Sequence, residues 1–178
     1  MKYAVIDVGS NTVRLCVYDV LCPEKRKFKT IMNRKIMAGL AAYIVDGAFS
    51  DEGIAEAILA VKKCIKRASY LSPDRIGMFA TAVLRNISNS AQAIAAIEQG
   101  AGCTISLLSN ADEAHLGFVG ASSRGTLDDG ALIDIGGGST EITVIENGID
   151  AARTSLPQGS LSSYKRFVGD ILPTQNEI

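Results

Sequence analysis

A single histidine, His115, stands in 178 residues. That scarcity excludes an HExxH zinc site and a histidine-rich metal cage, and it leaves a Ser-His-Asp triad only one ring to use. Four cysteines, Cys16, Cys22, Cys64 and Cys103, form no CxxC pair and are too sparse for a disulfide framework. They point to a reducing compartment, with the cytoplasm as the default. Hydrophobic runs are short. The N-terminal one meets Asp7 after four residues from Tyr3, too soon for a signal peptide, and none approaches a membrane span, so no membrane partner is expected. Charge of one sign is missing as well: 18 basic against 19 acidic residues leave a net charge of −1. No global field therefore draws in nucleic acid or anionic lipid, and no specific nucleic-acid partner is expected.

What is present is a core-forming composition, 47% hydrophobic and 21% charged, which excludes disorder and collagen and predicts one domain or at most two. Residues 3–7, 12–19 and 28–37 read as strands, the second by clean alternation, with Gly9-Ser10-Asn11 turning the first into the second. Ser50 caps a helix with Asp51 and Glu52 in its first turn, a stripe of Ile54, Ile58, Leu59, Val61 and Ile65, and Lys62, Lys63, Lys66 and Arg67 towards its end. A strand over 75–81, a helix over 90–99 stopped by Gly100, a strand over 104–108 and a helix over 110–121 follow. That order predicts an α/β layer fold.

Residues 122–129 (SSRGTLDD) form the best linker in the chain, and after it the pattern restarts. An apolar run over 131–134 ends on an acid, Gly136-Gly137-Gly138 turns, and a strand over 140–146 meets the hairpin signal Asn147-Gly148 before a strand over 149–155 and a helix over 160–168. Val5-Ile6-Asp7-Val8-Gly9-Ser10-Asn11-Thr12 and Leu132-Ile133-Asp134-Ile135-Gly136-Gly137-Gly138-Ser139 are the same device used twice. The expected organisation is a first domain over 1–124 and the N-terminal part of a second over 125–178, in a fragment of a longer protein that is expected to have weak or no activity by itself. The second copy stops before its sheet is covered, and exposed edges and apolar faces invite association, a homodimer among the forms it could take.

A glycine-rich turn between strands lets consecutive backbone N–H groups point into one concavity, and small or hydroxylated neighbours let an anion approach. Two such turns occur, Gly9-Ser10-Asn11-Thr12 and Gly136-Gly137-Gly138-Ser139-Thr140. Neither is a Walker loop or a dinucleotide fingerprint. One glycine turn is ordinary; two matching copies with matching acids favour a phosphate cradle. Asp7, Asp134 and Glu141 are hard-oxygen donors that facing copies could bring to Mg²⁺, or the aspartates serve only to start turns. In Ser109-Asn110-Ala111-Asp112-Glu113 either acid could complete a helix capping box. Arg85 ends a buried strand and could clamp phosphate or be merely solvated. The basic group Lys25, Arg26, Lys27, Lys29, Arg34 and Lys35 could guide a polyanion or keep a hairpin soluble. His115 reads as a helix-surface residue.

Taken together, these residues resemble the exopolyphosphatase and guanosine pentaphosphate phosphohydrolase family of the actin-like ATPase superfamily. Four blocks carry the resemblance: Ile6-Asp7-Val8-Gly9-Ser10-Asn11-Thr12-Val13-Arg14-Leu15, Ala80-Thr81-Ala82-Val83-Leu84-Arg85, Asp112-Glu113-Ala114 and Asp134-Ile135-Gly136-Gly137-Gly138-Ser139-Thr140-Glu141. Ser155-Leu156-Pro157-Gln158-Gly159 is a fifth. The resemblance implies two ribonuclease H-like domains, the first with a mixed five-stranded sheet and flanking helices, and a polyphosphate-binding cleft between them. It implies Glu113 as the general base, Asp7, Asp134 and Glu141 around Mg²⁺, and both glycine loops with Arg85 on the phosphates. The implied reaction releases terminal phosphate from polyphosphate or the 5′ γ-phosphate of guanosine pentaphosphate. An ATP-binding, kinase-like protein or a non-catalytic nucleotide sensor would carry the same loops, so the preference for hydrolysis rests on Glu113 and the four blocks. Two departures stand out: His115 where the family usually has arginine, and Met37-Ala38-Gly39-Leu40-Ala41 in place of a glycine- and glutamate-containing segment.

Overall fold

The structure, a computed structural model, describes residues 1–24, 27–123 and 125–175. Lys25 and Arg26 of the basic group, Arg124 of the linker, and Asn176 and Glu177 lie outside them. The chain divides into two compact units, Met1–Leu108 and Ser109–Ile178.

The first unit runs β1 (Lys2–Val8), β2 (Thr12–Cys22), β3 (Lys27–Met37), a 3₁₀ turn (Leu40–Tyr43), the small strands β4 (Ile44–Val45) and β5 (Ala48–Phe49), α1 (Asp51–Ser69), β6 (Arg75–Ala80), α2 (Ala82–Arg85), α3 (Ser90–Ala101) and β7 (Ser106–Leu107). Its main sheet has the order β3-β2-β1-β6-β7. β1 pairs antiparallel with β2 and parallel with β6, which is parallel to β7. This mixed five-stranded sheet with flanking helices is the arrangement that the resemblance implies for the first domain. The strand period sets the core: Ala4, Ile6 and Val8 of β1 and Val13, Leu15 and Val17 of β2 are buried on one face, so Asp7 falls on the other. The parallel register of Val8 with Ala80, and of Ala80 with Leu107, brings the C-terminal ends of β1, β6 and β7 to one edge. The Gly9 loop and the start of α2 therefore lie side by side. On the outer strand β3, Lys27, Lys29, Arg34 and Lys35 are exposed, where charge guards an open sheet edge.

The Ser50 hydroxyl accepts from the Gly53 N–H at 3.2 Å, capping α1 as expected. Of the expected stripe, Val61 is buried, Ile54, Ile58 and Ile65 pack against the core, and Leu59 is 51% exposed; Gly53, Ala57, Ala60, Cys64 and Ala68 are buried beside them. At its start the helix lies close to its neighbours. A Cβ on Gly53 would stand 2.5 Å from Tyr43 Cβ and 2.8 Å from Phe49 Cε2. Similar closeness carries α3 through Gly100, where a Cβ would meet Ile58 Cδ1 at 2.5 Å, to a left-handed stop at Gly102 with φ 66°. The strand expected over 104–108 shrinks to Ser106–Leu107, and Arg85 ends the short helix α2, not a strand.

The second unit holds α4 (Asn110–Ser122), β8 (Gly130–Ile135), β9 (Thr140–Glu146), β10 (Ile149–Leu156) and α5 (Ser160–Phe167). The three strands form an antiparallel sheet of order β10-β9-β8. Asn147 and Gly148, with φ 54° and 73°, make the tight turn between β9 and β10 that their sequence announces. The boundary between units precedes α4, whereas the polar linker near 124 follows it. α4 joins this unit because its buried Ala114 and Phe118 belong to a helix that packs on β9 and β10, where Thr143 Oγ1 donates to the Ala114 carbonyl at 3.4 Å. The opposite sheet face bears Ile133 and Ile135, 58% and 66% exposed, in the places that the buried Ile6 and Val8 occupy in β1. Among the described residues no helix is long and apolar enough to cross a membrane.

Candidate functional site

The two glycine loops are closed by the same bond. Gly9 N–H donates to the Thr12 carbonyl at 3.0 Å, and Gly136 N–H to the Ser139 carbonyl at 2.9 Å. In both, a Cβ on the first glycine would lie 3.2 Å from that carbonyl oxygen. The loops are also backed alike. Behind the first, Ala41 N–H donates to the Ser10 carbonyl at 2.8 Å, and Ala38 and Gly39 donate to the Asn11 carbonyl at 3.1 and 2.9 Å. Behind the second, Ser160 N–H donates to the Gly136 carbonyl at 2.9 Å, and Leu161 and Ser162 donate to the Gly137 carbonyl at 2.9 and 3.1 Å.

This backing has a consequence fixed by peptide geometry. In a planar trans peptide the C=O and the following N–H point in opposite directions. Carbonyls tied backwards at Ser10, Gly136 and Gly137 turn the N–H groups of Asn11, Gly137 and Gly138 forwards. Among the described residues, these three N–H groups donate to no protein acceptor. Forward-facing, unspent amides make a concavity for an anion. The N-terminal amides of α5 are spent on the loop itself. The segment 37–41 supplies the backing of the first loop, with Gly39 in the left-handed region at φ 58°. Ser10 and Ser139 are 7% and 3% exposed, and Thr140 Oγ1 donates to the Gln158 carbonyl at 2.6 Å.

The acids of the second unit converge. Asp134 and Glu141 are direct cross-strand partners in the β8–β9 ladder. Glu141 is 5% exposed and accepts from the Ser155 hydroxyl at 2.9 Å. Asp134 Oδ2 lies 3.9 Å from where a Cβ on Gly117 would stand. Gly117 is one helical turn beyond Glu113, so α4 presents Glu113 on the side that meets Asp134. The cap of α4 decides between the two acids left open by the sequence. Ser109 Oγ accepts from Asp112 N–H at 3.1 Å and donates to Asp112 Oδ2 at 2.6 Å. That hydroxyl holds the Asp112 carboxyl below its ordinary range. Asp112 is thus a capping partner of Ser109, and Glu113 beside it is half-buried.

In the first unit Asp7 is half-buried between Arg14 of β2 and Phe79 of β6 in register. Arg85 Nη1 donates to the Leu108 carbonyl at 2.9 Å, which fixes the guanidinium at the edge that carries the Gly9 loop. Among the described residues no group of three His, Cys, Asp or Glu side chains forms a metal cluster. The paired carboxylates Asp134 and Glu141 fit a cation that completes its shell with water and phosphate, as Mg²⁺ does. Sequence reasoning passed over Gly159, whose Cβ would come within 2.6 Å of the Gly136 oxygen. Its only signal was its place in the block Ser155-Leu156-Pro157-Gln158-Gly159.

The profile of the Ppx/GppA phosphatase family matches residues 22–178. The chain belongs to that family. Among solved structures it is similar to an exopolyphosphatase from Cytophaga hutchinsonii, with 25% identity, a TM-score of 0.88, and coverage of 99% of this chain and 57% of that one. A Ppx/GppA family member from Aquifex aeolicus is 24% identical with a TM-score of 0.77, again over 99% of this chain and 57% of the other. The ethanolamine utilization protein EutJ from Carboxydothermus hydrogenoformans shares the fold more distantly, with 23% identity, a TM-score of 0.53, and coverage of 90% and 53%. The chain thus spans a little over half the length of these relatives.

Proposed function

We propose that this chain supplies phosphate-binding loops and a water-activating carboxylate to a phosphoanhydride hydrolase acting on inorganic polyphosphate or guanosine pentaphosphate. The observation that carries the reading is the loop built twice, with the same closing bond and the same backing, so that unspent amides of Asn11, Gly137 and Gly138 face forward. A polyanion of repeated phosphoryl groups suits repeated anion sites. In the reaction, Glu113 accepts a proton from water, the water oxygen forms a bond to the terminal phosphorus, and the bridging P–O bond breaks, its electrons leaving on the shortened phosphate chain. The loop amides, with the Arg85 fork, donate to non-bridging oxygens where negative charge must be held. Asp134 and Glu141 would hold Mg²⁺, with Asp7 the corresponding acid of the first unit; when bound, the ion neutralises phosphate charge. Free thiols at all four cysteines fit the cytoplasmic setting we assign.

The test is orthophosphate release by the full-length protein from polyphosphate and from guanosine pentaphosphate, with and without Mg²⁺. Release that depends on Mg²⁺ and is lost in Glu113→Gln supports the reading. Tight binding without turnover would replace it with a nucleotide sensor, and ATP-dependent transfer to an added acceptor with a kinase-like activity.

A further inference from the structure

Strand β10 carries a defect with a purpose. Asp150 pairs with Ile145 and Ala152 with Val144, so Ala151 is an extra residue, a bulge. On an unbroken strand, residues three apart lie on opposite faces. The bulge reverses that parity and puts Asp150 and Arg153 on the same face, the one that packs against α4. There Arg153 Nε lies 3.1 Å from Asp150 Oδ2, the same oxygen lies 2.6 Å from His115 Nδ1, and Arg153 Nη1 donates to the Ala111 carbonyl at 3.4 Å. β10 thereby grips the first half of α4 at two points, a side chain and a backbone carbonyl.

Residues two apart on a helix project about 200° from each other. His115 and Glu113 therefore leave α4 on opposed sides, His115 towards Asp150 and Glu113 towards Asp134. Whatever fixes the rotation of α4 on one side sets the aim of Glu113 on the other.

We infer that Asp150, re-aimed by the Ala151 bulge and joined to His115 and Arg153, is a positioning residue that holds α4 in the rotation at which Glu113 addresses its water. The inference rests on the hydrolase reading for its kinetic consequence, and on the coordinates alone for the clamp. The Asp150 carboxylate can only accept, so the His115 ring nitrogen is the donor in this contact.

The experiment compares Asp150→Ala, His115→Ala, His115→Arg and the double alanine variant with the parent, all in the full-length protein. With polyphosphate, Asp150→Ala and His115→Ala should each lower kcat about 10–100-fold while KM stays within about twofold. The double variant should fall no further than either single one. His115→Arg, which keeps a donor to Asp150, should restore most of kcat. Amide hydrogen exchange gives a second readout that needs no turnover: the alanine variants should speed exchange in α4 while β9 stays protected. Unchanged kcat in an active chain, KM rising in step with falling kcat, or unchanged exchange in α4 would overturn the clamp. If the full-length protein releases no phosphate from either substrate, the hydrolase reading fails and exchange alone decides the clamp.

Discussion

Asp134 and Glu141 stand directly opposite each other across the β8–β9 ladder. Like charges in that relationship repel, and Glu141 is buried with, among the described residues, the Ser155 hydroxyl as its one side-chain donor. Such a pair is costly alone and useful around a cation. Glu141→Gln keeps an oxygen for Ser155 and removes one charge, so without divalent cations it should stabilise the protein by about 0.2–1 kcal/mol. Added Mg²⁺ should raise the melting midpoint of the parent and leave that of the variant unmoved. Thermal unfolding with Mg²⁺ and with EDTA checks both, and a parent curve indifferent to Mg²⁺ removes the cation from this pair.

Asp112 and Glu113 are neighbours with separable duties. Ser109 and Asp112 complete the cap of α4, so Asp112→Ala should lower stability and cost little turnover. Glu113→Gln should do the reverse, lowering turnover about 10²–10⁴-fold with substrate binding kept. Denaturation midpoints and single-turnover kinetics on both variants separate the roles, and equal kinetic losses would merge them.

Local chemistry was readable from the sequence and close approach was not. Alternation places β2 and β9, short apolar runs that end on an acid place Asp7 and Asp134 on β1 and β8, and Ser50 and Ser109 declare their caps, because each depends on a few adjacent residues. The boundary ahead of α4 depends on which sheet accepts Ala114 and Phe118, a tertiary choice that the polar linker downstream does not report. Gly100 looks like a stop, yet it is the place where α3 touches Ile58. Of the candidate site, both loops were visible as glycine patterns, but their backing by Ala38–Ala41 and Gly159–Ser162 required long-range hydrogen bonds. The bulge at Ala151 was hidden because a single inserted residue leaves composition unchanged while it reverses which side chains share a face.

Gly159 is required by contact, not by its dihedral angles. A Cβ there would stand 2.6, 2.7 and 2.8 Å from Gly136 O, Gly137 C and Gly137 O, backbone atoms that cannot rotate away. Gly159→Ala should push the second loop off the start of α5, costing about 1–3 kcal/mol and weakening phosphate binding. Gly100→Ala is the control: its Cβ meets Ile58 Cδ1, the end of a side chain that can turn, and alanine gains about 1 kcal/mol of helix propensity. Urea midpoints should therefore fall clearly for the first and little for the second; the reverse ranking would mean that α5 yields more readily than the loop suggests.

Acid should loosen α4 at both of its attachments. The Ser109 hydroxyl holds the Asp112 carboxyl below its ordinary range, and the His115 ring, with Arg153 beside it, does the same for Asp150. A carboxyl whose pKa is lower folded than unfolded adds stability that is complete above the unfolded value, about 3.9, and is lost as the pH falls through the folded value. The loss for α4 should therefore begin near pH 4 and deepen below it, with no change between pH 5 and 7 from these two groups. Asp150→Asn gives up its share at neutral pH already, so its stability should start lower and fall less steeply in acid. Stability measured by urea unfolding at each pH from 7 to about 2.5 shows the difference, and parallel curves for parent and variant would mean that the bond to His115 contributes nothing to holding the helix.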